Sequence, residues 1–326
     1  MPVAKGEQKP PCQCRTCRGT LRHPRHPWPG SSLLMVPVVG DPKIGVIVKS
    51  LEELMAVSPS SPFCVLSYFN HNLGDHIQTL ALLQHVAPRR LVPRDHLTEQ
   101  GDLVLLANGW MAFYGMPRRD WFRDVRYVGI HIAPFCRTTE TAEAVRPCGI
   151  AGCRDPATEG FLRRHGLPSV LVGCATLTLP PYQGKREGVL CVDTEDRVYE
   201  EVSRAYGDAV AVSHDLPPFS YEEAGRETVA GQYRQAYALL ARYRKAELVV
   251  TRRLHAALPC VAFGTPVVYV GPDDDRTSIL DEIGVRIVGK EEGLTPAILR
   301  PEPVAAPRLR EDYLRFLECA MRPFTG

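Results

Sequence analysis

The chain alternates short apolar runs with stretches whose apolar residues recur at helical spacing. The runs are rich in β-branched residues and have little internal polarity, as expected for strands buried on both faces of a parallel sheet. They fall at residues 63–68, 103–107, 125–132, 169–172, 189–193, 209–213, 247–251, 266–270 and 285–288. Strands that alternate with helices in this way predict the α/β class with parallel sheets.

The clearest unit runs from Glu247 to Gly271. Two apolar runs enclose a segment in which Leu254, Leu258 and Val261 recur at helical spacing, and Gly264 follows where a helix would end. We therefore expect two parallel strands joined by a crossover helix. Ligands of such sheets bind at the carboxyl ends of the strands.

At that edge the chain places Arg252, Arg253 and His255. Two guanidinium groups and an imidazole beside a helix N-terminus suit a small anion. The alternative is that these are solvated residues at the start of a helix.

A second polar set follows the run that ends at Tyr68. Asn72, Gly74 and Asp75 precede a helical pattern, and Asp75 suits the N-cap because a carboxylate there satisfies free amides. Gly74 allows a positive φ or a close approach of ligand to backbone. Helix capping alone would explain Asp75, and turn chemistry could explain Asn72 and Gly74.

Two further turns carry polar residues in the first half of the chain. Asn108 and Trp110 follow the run that ends at Ala107, and Arg154 and Asp155 precede Pro156. Proline is favoured at the first helical position, so a helix is expected to begin there. Helix capping is the simpler explanation of Asp155.

The domain boundary is predicted between Pro180 and Gly188. Residues 32–184 then form an N-terminal Rossmann-like domain, and residues 185–326 form a C-terminal one with a closing helix. Residues 1–31 are rich in Pro, Arg and His and poor in large aliphatic residues, so a disordered basic arm is expected. Its zinc-binding candidates do not form the paired C-x-x-C signature of a structural zinc site: Cys12, Cys14, Cys17, His23 and His26.

Composition narrows the class. With 44% hydrophobic and 23% charged residues among 326, the chain reads as soluble and globular. A formal net charge of +2 gives no indication of nucleic acid, and no apolar run of about 18 residues predicts a membrane span. No secretory signal is recognisable, and the odd count of 11 cysteines fits reduced thiols in the cytoplasm.

Several standard signatures are missing from the sequence. There is no G-x-G-x-x-G, no P-loop and no G-x-S-x-G elbow. Asp273, Asp274 and Asp275 are adjacent, and adjacent carboxylates in a turn are more typical of a solvated cap than of a metal site. No metal is expected.

Four motifs in register carry a family resemblance. They are Asn72-Leu73-Gly74-Asp75, the Arg154-Asp155 turn, the TLTL of Thr176–Leu179, and RLHAALPCVAFGTPVVYVG from Arg253. In order and approximate spacing, over residues 63–290, they resemble the polysaccharide pyruvyl transferase family. The chain departs from that pattern at Ala107-Asn108-Gly109-Trp110, where relatives often have a glycine-rich turn.

The resemblance implies two Rossmann-like doubly wound domains that face each other across a cleft, as in GT-B glycosyltransferases. It also implies transfer of pyruvate from phosphoenolpyruvate onto two hydroxyls of a sugar or glycan acceptor as a cyclic ketal. The donor is then a substrate, and no cofactor is expected. The acceptor, and whether the protein is a homo-oligomer, stay open.

Residue roles follow from the same resemblance. Arg154 and Arg253 would clamp the carboxylate and phosphate of the donor, and His255 would act as an acid toward the leaving phosphate. Asp75 or His214 would serve as the base. Further substrate-binding positions are Asn72, Gly74, Asp75, Asn108, Trp110, Arg252 and Arg276.

Two alternatives remain at this stage. A nucleotide-sugar glycosyltransferase of the same fold would use Asp273–Asp275 to bind ribose. A non-catalytic anion-binding relative would keep the cleft without turnover.

Overall fold

The chain folds around two parallel sheets that carry the predicted apolar runs. The computed structural model describes residues 49–68, 70–112, 116–217, 226–289 and 292–325. The predicted arm at 1–31 and its Cys/His group lie outside these residues.

The first sheet has the strand order β2-β1-β3-β4-β5-β6, and every pairing is parallel. Its strands are β1 (Phe63–Ser67), β2 (Arg90–Pro93), β3 (Val104–Met111), β4 (Asp124–Ile132), β5 (Ala151–Cys153) and β6 (Ser169–Leu171). This sheet and the helices that accompany it are called the first half, and the second sheet with its helices is called the second half. The helices of the first half are α1 (Leu51–Met55), α2 (Leu73–Leu83), α3 (Thr139–Val145) and α4 (Pro156–Arg164).

The second sheet has the order β11-β10-β9-β7-β8, again all parallel. Its strands are β7 (Val189–Val192), β8 (Val210–Val212), β9 (Leu248–Thr251), β10 (Val267–Val270) and β11 (Ile287–Val288). The helices are α5 (Asp196–Tyr206), α6 (Arg226–Lys245), α7 (Leu254–Phe263), α8 (Ser278–Glu282) and α9 (Pro307–Met321).

Both sheets follow one winding scheme. In each, the first strand lies between the second and the third, so the winding reverses between β1 and β3 and between β7 and β9. Ligands of doubly wound sheets bind at the carboxyl ends of the strands flanking such a reversal. The predicted fold class, an α/β protein with two doubly wound parallel sheets, is confirmed.

Helices α2, α6 and α7 join the two halves through one hydrophobic core. Leu80 of α2, Tyr233 of α6 and Leu258 of α7 are fully buried in the same cluster. Shared burial of this kind fixes the two sheets relative to each other, because any displacement would open cavities in a close-packed interior. Loops at the sheet edges are thereby held in defined positions.

The final helix returns to the first sheet. Tyr313 of α9 donates a hydrogen bond from its hydroxyl to the carbonyl of Val128 in β4, at 3.1 Å. Gly129 and Gly152 make room for this helix, because a Cβ at either position would lie within 3.0 Å of Tyr313 or Phe316. The division of the chain near residues 180–188 stays a prediction.

Two local expectations were wrong. The run at 103–107 does not end in a turn, because β3 continues to Met111 through a bulge at Gly109, whose φ is +103°. A Cβ on Gly109 would lie 2.1 Å from the Tyr68 hydroxyl, so glycine is required there. The N-cap of α2 is Asn72 rather than Asp75, since the Asn72 side chain accepts from the amide of Gly74.

Several predicted helix ends are confirmed. Helix α4 begins at Pro156, and α7 is followed by Gly264 in the left-handed region. The TLTL segment forms a 3-10 turn at Ala175–Thr178. Among the helices of the described residues, none is long and apolar enough to cross a membrane.

Candidate functional site

The carboxyl ends of β1 and β8 meet through backbone hydrogen bonds. The amide of Leu73 donates to the carbonyl of His214 at 2.9 Å, and the amide of Leu216 donates to the carbonyl of His71 at 2.7 Å. Asn72 and Asp215 form an isolated antiparallel bridge. The Asn72 loop of the first sheet is therefore attached directly to the His214 loop of the second.

Gly74 lies at a close approach between the two halves. A Cβ built on Gly74 would lie 3.0 Å from Oδ1 of Asn72, 3.2 Å from Nδ1 of His214 and 3.3 Å from Cβ of His255. Each of these distances is tighter than an ordinary van der Waals contact. Glycine thus lets two histidines of the second half pack against the start of α2.

Arg154 is the most unusual side chain of the region. It follows β5, its amide donates to the carbonyl of Ile130 at 2.8 Å, and its side chain is fully buried. Nε lies 3.5 Å from Oδ2 of Asp155, an ion pair without hydrogen-bond geometry. Neither Nε nor Nη2 has a hydrogen-bond partner among the described residues.

A buried guanidinium with unused donors lowers the stability of the folded protein, because desolvation of the charge is only partly offset by Asp155. An anion that accepted those donors would recover much of that cost. Arg154 is thus suited to binding a carboxylate or a phosphate.

His255 lies in the first turn of α7 with non-helical backbone angles, φ −85° and ψ 16°. It is buried, and its Nε2 lacks a hydrogen-bond partner within the described part of the chain. Burial, followed by the positive charge of Arg154, holds the pKa of His255 well below its usual value. The imidazole is therefore neutral at pH 7, and an arriving anion would raise its pKa.

His214 lies beside it. Its Nε2 is 2.7 Å from the Tyr243 hydroxyl, while Nδ1 has no partner among residues that the structure describes. Burial lowers the pKa of His214 to about 4, against the opposing effect of Asp193. Arg154, His131 and His214 all lie close enough to His255 to lower its pKa.

Arg253 has a different environment from the one expected. Its Nε donates to Oδ2 of Asp193 at 2.6 Å, and its Nη2 donates to Asp215. Although burial opposes the charge, the two carboxylates raise the pKa of Arg253. The guanidinium is thus committed to carboxylates of the same half, which limits its capacity to clamp a donor.

Asp193 organises these loops at the reversal between β7 and β9. It is the non-glycine residue with positive φ, 51°, in the described ranges. Its carboxylate accepts from the Ser213 hydroxyl at 2.5 Å, the His214 amide at 2.9 Å and Arg253. Sequence reasoning missed Asp193, because one aspartate after a strand carries no distinctive signal.

His131 and Asp155 form a second arrangement that the sequence did not reveal. Nδ1 of His131, at the end of β4, is 2.7 Å from Oδ2 of Asp155, and both residues are buried. Oδ1 of Asp155 accepts from the amide of Thr158 at 2.9 Å, so Asp155 caps α4 as expected. The Asp155 carboxylate therefore both caps the N-terminus of α4 and accepts a hydrogen bond from the His131 imidazole.

The protonation of this pair follows from its surroundings. Burial opposes ionisation of Asp155, yet the hydrogen bond from His131 and the charge of Arg154 lower its pKa below the usual value. Burial, then Arg154, lowers the pKa of His131. An ionised carboxylate only accepts, so Nδ1 carries the proton and Nε2 is left as the basic nitrogen.

A cavity of about 440 Å³ lies beside His131. Its walls join the loop after β4 to the loop after β10, and the lining residues are Trp110, His131, Ala133, Pro134, Phe135, Asp274, Asp275 and Arg276. Arg137 crosses between the same loops, with Nη1 2.5 Å from Oδ2 of Asp275. Trp110 and Arg276, both predicted as binding residues, thus line one cavity.

Asp75 and Asn108 belong to a network inside the first half. Asp75 accepts from Asn70 at 2.7 Å and from Gln78 at 3.1 Å, and lies 3.9 Å from Arg94. Asn108 is buried in β3 and donates to the carbonyl of Gln78 at 3.4 Å. These contacts account for Asp75 structurally, whereas the buried side-chain oxygen of Asn108 has no hydrogen-bond partner among the described residues.

The other predicted cations are exposed. Arg252 follows β9, and Arg276 lies at the cavity, close enough to help lower the pKa of His255. Asp274 accepts from the amides of Arg276 and Thr277, so it caps the loop before α8. Within the described ranges, no group of three His, Cys, Asp or Glu residues is arranged to hold a metal ion.

Comparison with known families supports the same region. The family model "Polysaccharide pyruvyl transferase" matches residues 137–274. The predicted family resemblance is confirmed over these residues, which do not include the Asn72–Asp75 motif. The matched segment contains Arg154, the TLTL turn and the Arg253-x-His255 motif, and it supports a transferase that modifies polysaccharides.

Other comparisons are more distant. No curated protein matches the chain. Among solved structures, an uncharacterized protein of Klebsiella pneumoniae is 10% identical, with 72% of this chain and 94% of that chain covered and a TM-score of 0.42. The S. aureus MnaA–UDP co-structure is 9% identical, with 81% and 98% covered and a TM-score of 0.41. TM-scores this low support no functional argument.

Proposed function

We propose that the protein transfers pyruvate from phosphoenolpyruvate to two hydroxyls of a sugar or glycan acceptor, forming a cyclic ketal and releasing phosphate. The observation that carries this proposal is the buried guanidinium of Arg154, with two nitrogens that lack partners among the described residues, beside neutral His255. Phosphoenolpyruvate is a compact anion with a carboxylate and a phosphate. It matches an arginine fork better than a neutral sugar does.

The reaction is balanced by two proton movements. One hydroxyl oxygen bonds to C2 of phosphoenolpyruvate while C3 gains a proton and becomes a methyl group. The C2–O bond to phosphate then breaks, phosphate leaves with the electron pair, and the second hydroxyl oxygen bonds to C2. Of the two protons lost by the hydroxyls, one ends on C3 and one on phosphate.

Arg154 serves this sequence by binding the donor anion and offsetting charge on the departing phosphate. His255 is neutral in the free protein and gains basicity when the anion arrives, so it can carry a proton to phosphate. Arg253 acts here as a positioning residue, because Asp193 and Asp215 engage it. A cytoplasmic location, where this donor is formed, is part of the proposal.

The test is product analysis with phosphoenolpyruvate labelled with carbon-13 at C2. Incubation with methyl glycosides of glucose, galactose and mannose is followed by carbon NMR for a ketal carbon and by phosphate release. Arg154→Met is expected to lower the rate at least about 100-fold, as for other lost transition-state donors. Arg118→Met, at an arginine whose side chain is 61% exposed, is the matched control.

Two outcomes would contradict the proposal. Transfer of glucose from UDP-glucose, with no ketal formed, would identify a nucleotide-sugar glycosyltransferase. Absence of both products, with phosphoenolpyruvate bound, would leave a non-catalytic anion-binding protein.

A further inference from the structure

The cavity beside His131 has the surface chemistry of a saccharide site. Trp110 and Phe135 form one side, and Phe135 is 59% exposed, which is uncommon for a phenylalanine. Asp274, Asp275 and Arg276 supply charged groups on the other half's loop. Pyranose rings stack their C–H faces on aromatic rings and form hydrogen bonds from their hydroxyls to charged groups. The aromatic and the charged residues of the cavity can therefore both contact a sugar.

The same cavity contains an imidazole that is set up as a base. A carboxylate at 2.7 Å orients His131 through Nδ1 and leaves Nε2 as the basic nitrogen. A base oriented by a buried carboxylate is the arrangement by which proteins activate hydroxyl groups.

We propose that the cavity lined by Trp110, Phe135 and His131 binds the acceptor sugar, and that His131, oriented by Asp155, removes the proton from the attacking hydroxyl. This inference rests on the proposed function and adds to it the acceptor site and its base. The hydroxyl proton passes to Nε2 of His131 as the oxygen bonds to C2 of the donor. It leaves His131 again for C3 or for phosphate.

The neighbours of His131 set the pH at which it works. Burial, then Arg154 and Arg137 from the first half, lower the pKa of His131, Asp155 raises it, and His255 of the second half interacts with it. Neutral His131 is the active form. Activity should therefore fall on the acid side, and removing the carboxylate should move that fall to lower pH.

Asp155→Asn is the decisive variant, because asparagine also caps helices and the fold should survive. We expect kcat to fall at least about 100-fold, the low end for a misplaced general base. The KM for the methyl glycoside should stay within about threefold, and phosphoenolpyruvate should bind no more weakly, because the carboxylate that competes for Arg154 is removed. Asp155→Ser, which keeps the cap without a carboxylate, and His131→Gln should behave alike.

The aromatic wall is tested separately. Trp110→Ala is expected to raise the KM for the glycoside about tenfold or more, consistent with a lost stacking contact, and to leave donor binding unchanged. Val210→Ala, at an exposed apolar residue of β8, is the control.

Saturation-transfer NMR with the three methyl glycosides, on protein saturated with phosphoenolpyruvate, gives a readout without turnover. The sugars should bind the wild type and bind Trp110→Ala more weakly. Failure of every glycoside to bind, or an unchanged kcat in Asp155→Asn, would overturn the inference while donor binding stood. Loss of donor binding in the wild type itself would instead contradict the proposed function.

Discussion

Gly74 at the start of α2 lies against His255 at the start of α7, so closely that a Cβ on Gly74 would be 3.3 Å from Cβ of His255. The contact joins the strand end of β1 to the strand end of β9, one from each sheet. His214 lies at the same spot, with Nδ1 3.2 Å from that Cβ position. The absence of a side chain at residue 74 is therefore what allows the two halves to build one site.

Gly74→Ala should reduce activity without unfolding the protein. Overpacking costs about 1–3 kcal/mol, and replacing a helical glycine by alanine recovers up to about 1 kcal/mol. The free energy of unfolding should thus fall by no more than about 3 kcal/mol. Displacement of His255 should lower kcat at least about tenfold, by the sensitivity of catalysis to small shifts.

Gly231→Ala is the control for this substitution. Gly231 lies in α6, where a Cβ would have only an ordinary contact at 3.9 Å. Denaturant unfolding and steady-state kinetics of both variants decide the matter. An active Gly74→Ala protein would show that the approach of the two halves at this point does not govern His255.

The contributions of Arg253 and Asp193 to the free energy of unfolding should be strongly coupled. Replacing Arg253 by methionine leaves the partly buried Asp193 carboxylate without its cation, which costs about 1–3 kcal/mol because the pair is partly solvated. Adding Asp193→Asn to that variant should restore part of the stability, because the unpaired charge is removed. A double-mutant cycle of unfolding free energies should give a coupling of at least about 1.5 kcal/mol.

A different outcome for the Arg253–Asp193 pair would contradict this prediction. If Arg253→Met unfolds like the wild type yet no longer binds phosphoenolpyruvate, then Arg253 contacts the donor directly, as the sequence predicted. Arg197→Met, at an arginine paired with Glu201 on the surface of α5, shows the effect of losing an exposed pair.

Buried neutral histidines should make the protein sensitive to acid. The pKa of His214 is lowered by burial to about 4 in the folded state, against about 6.5 in an unfolded chain. The unfolded state thus binds a proton first, so stability is full above pH about 6.5 and is lost as pH falls toward 4. Between pH 7 and 5, His214 alone should cost roughly 2 kcal/mol.

His214→Gln isolates this contribution, because glutamine can still reach the Tyr243 hydroxyl. Urea unfolding at pH 7 and pH 5 should show a drop in stability smaller by about 2 kcal/mol in the variant than in the wild type. His165→Gln, at a half-exposed histidine of α4's end, is the control. Equal drops in the wild type and His214→Gln would mean that His214 is charged in the folded protein.

The sequence was informative where backbone periodicity decides structure. Runs such as Val267–Val270 and breaks such as Gly264 correctly predicted strands, a helix end and the α/β class. It was misleading at Asn108, because the bulge that keeps β3 extended depends on Tyr68, a residue 40 positions away. Short elements without strong periodicity, such as α1 and α3, were not anticipated.

The sequence likewise predicted some residues of the candidate site and missed others. Gly74, Arg154 and His255 were selected from local motifs, and their roles stay predictions. The pairs Arg253–Asp193 and His131–Asp155 could not be selected, because their partners lie 60 and 24 residues apart and meet only after the sheets form. Local sequence identifies strand ends, whereas which strand ends meet is a property of topology.

The most direct test of the central claim is a calorimetric titration of the protein with phosphoenolpyruvate, repeated on Arg154→Met and on the Arg118→Met control. We expect the wild type and Arg118→Met to bind alike and Arg154→Met to bind at least about 100-fold more weakly, because a buried arginine with free donors is the anion site. Denaturant unfolding of Arg154→Met is measured alongside, because the variant also removes the ion pair with buried Asp155 and a loss of binding is informative only in folded protein. Undiminished binding by Arg154→Met, or binding of UDP-glucose in place of phosphoenolpyruvate, would contradict the account.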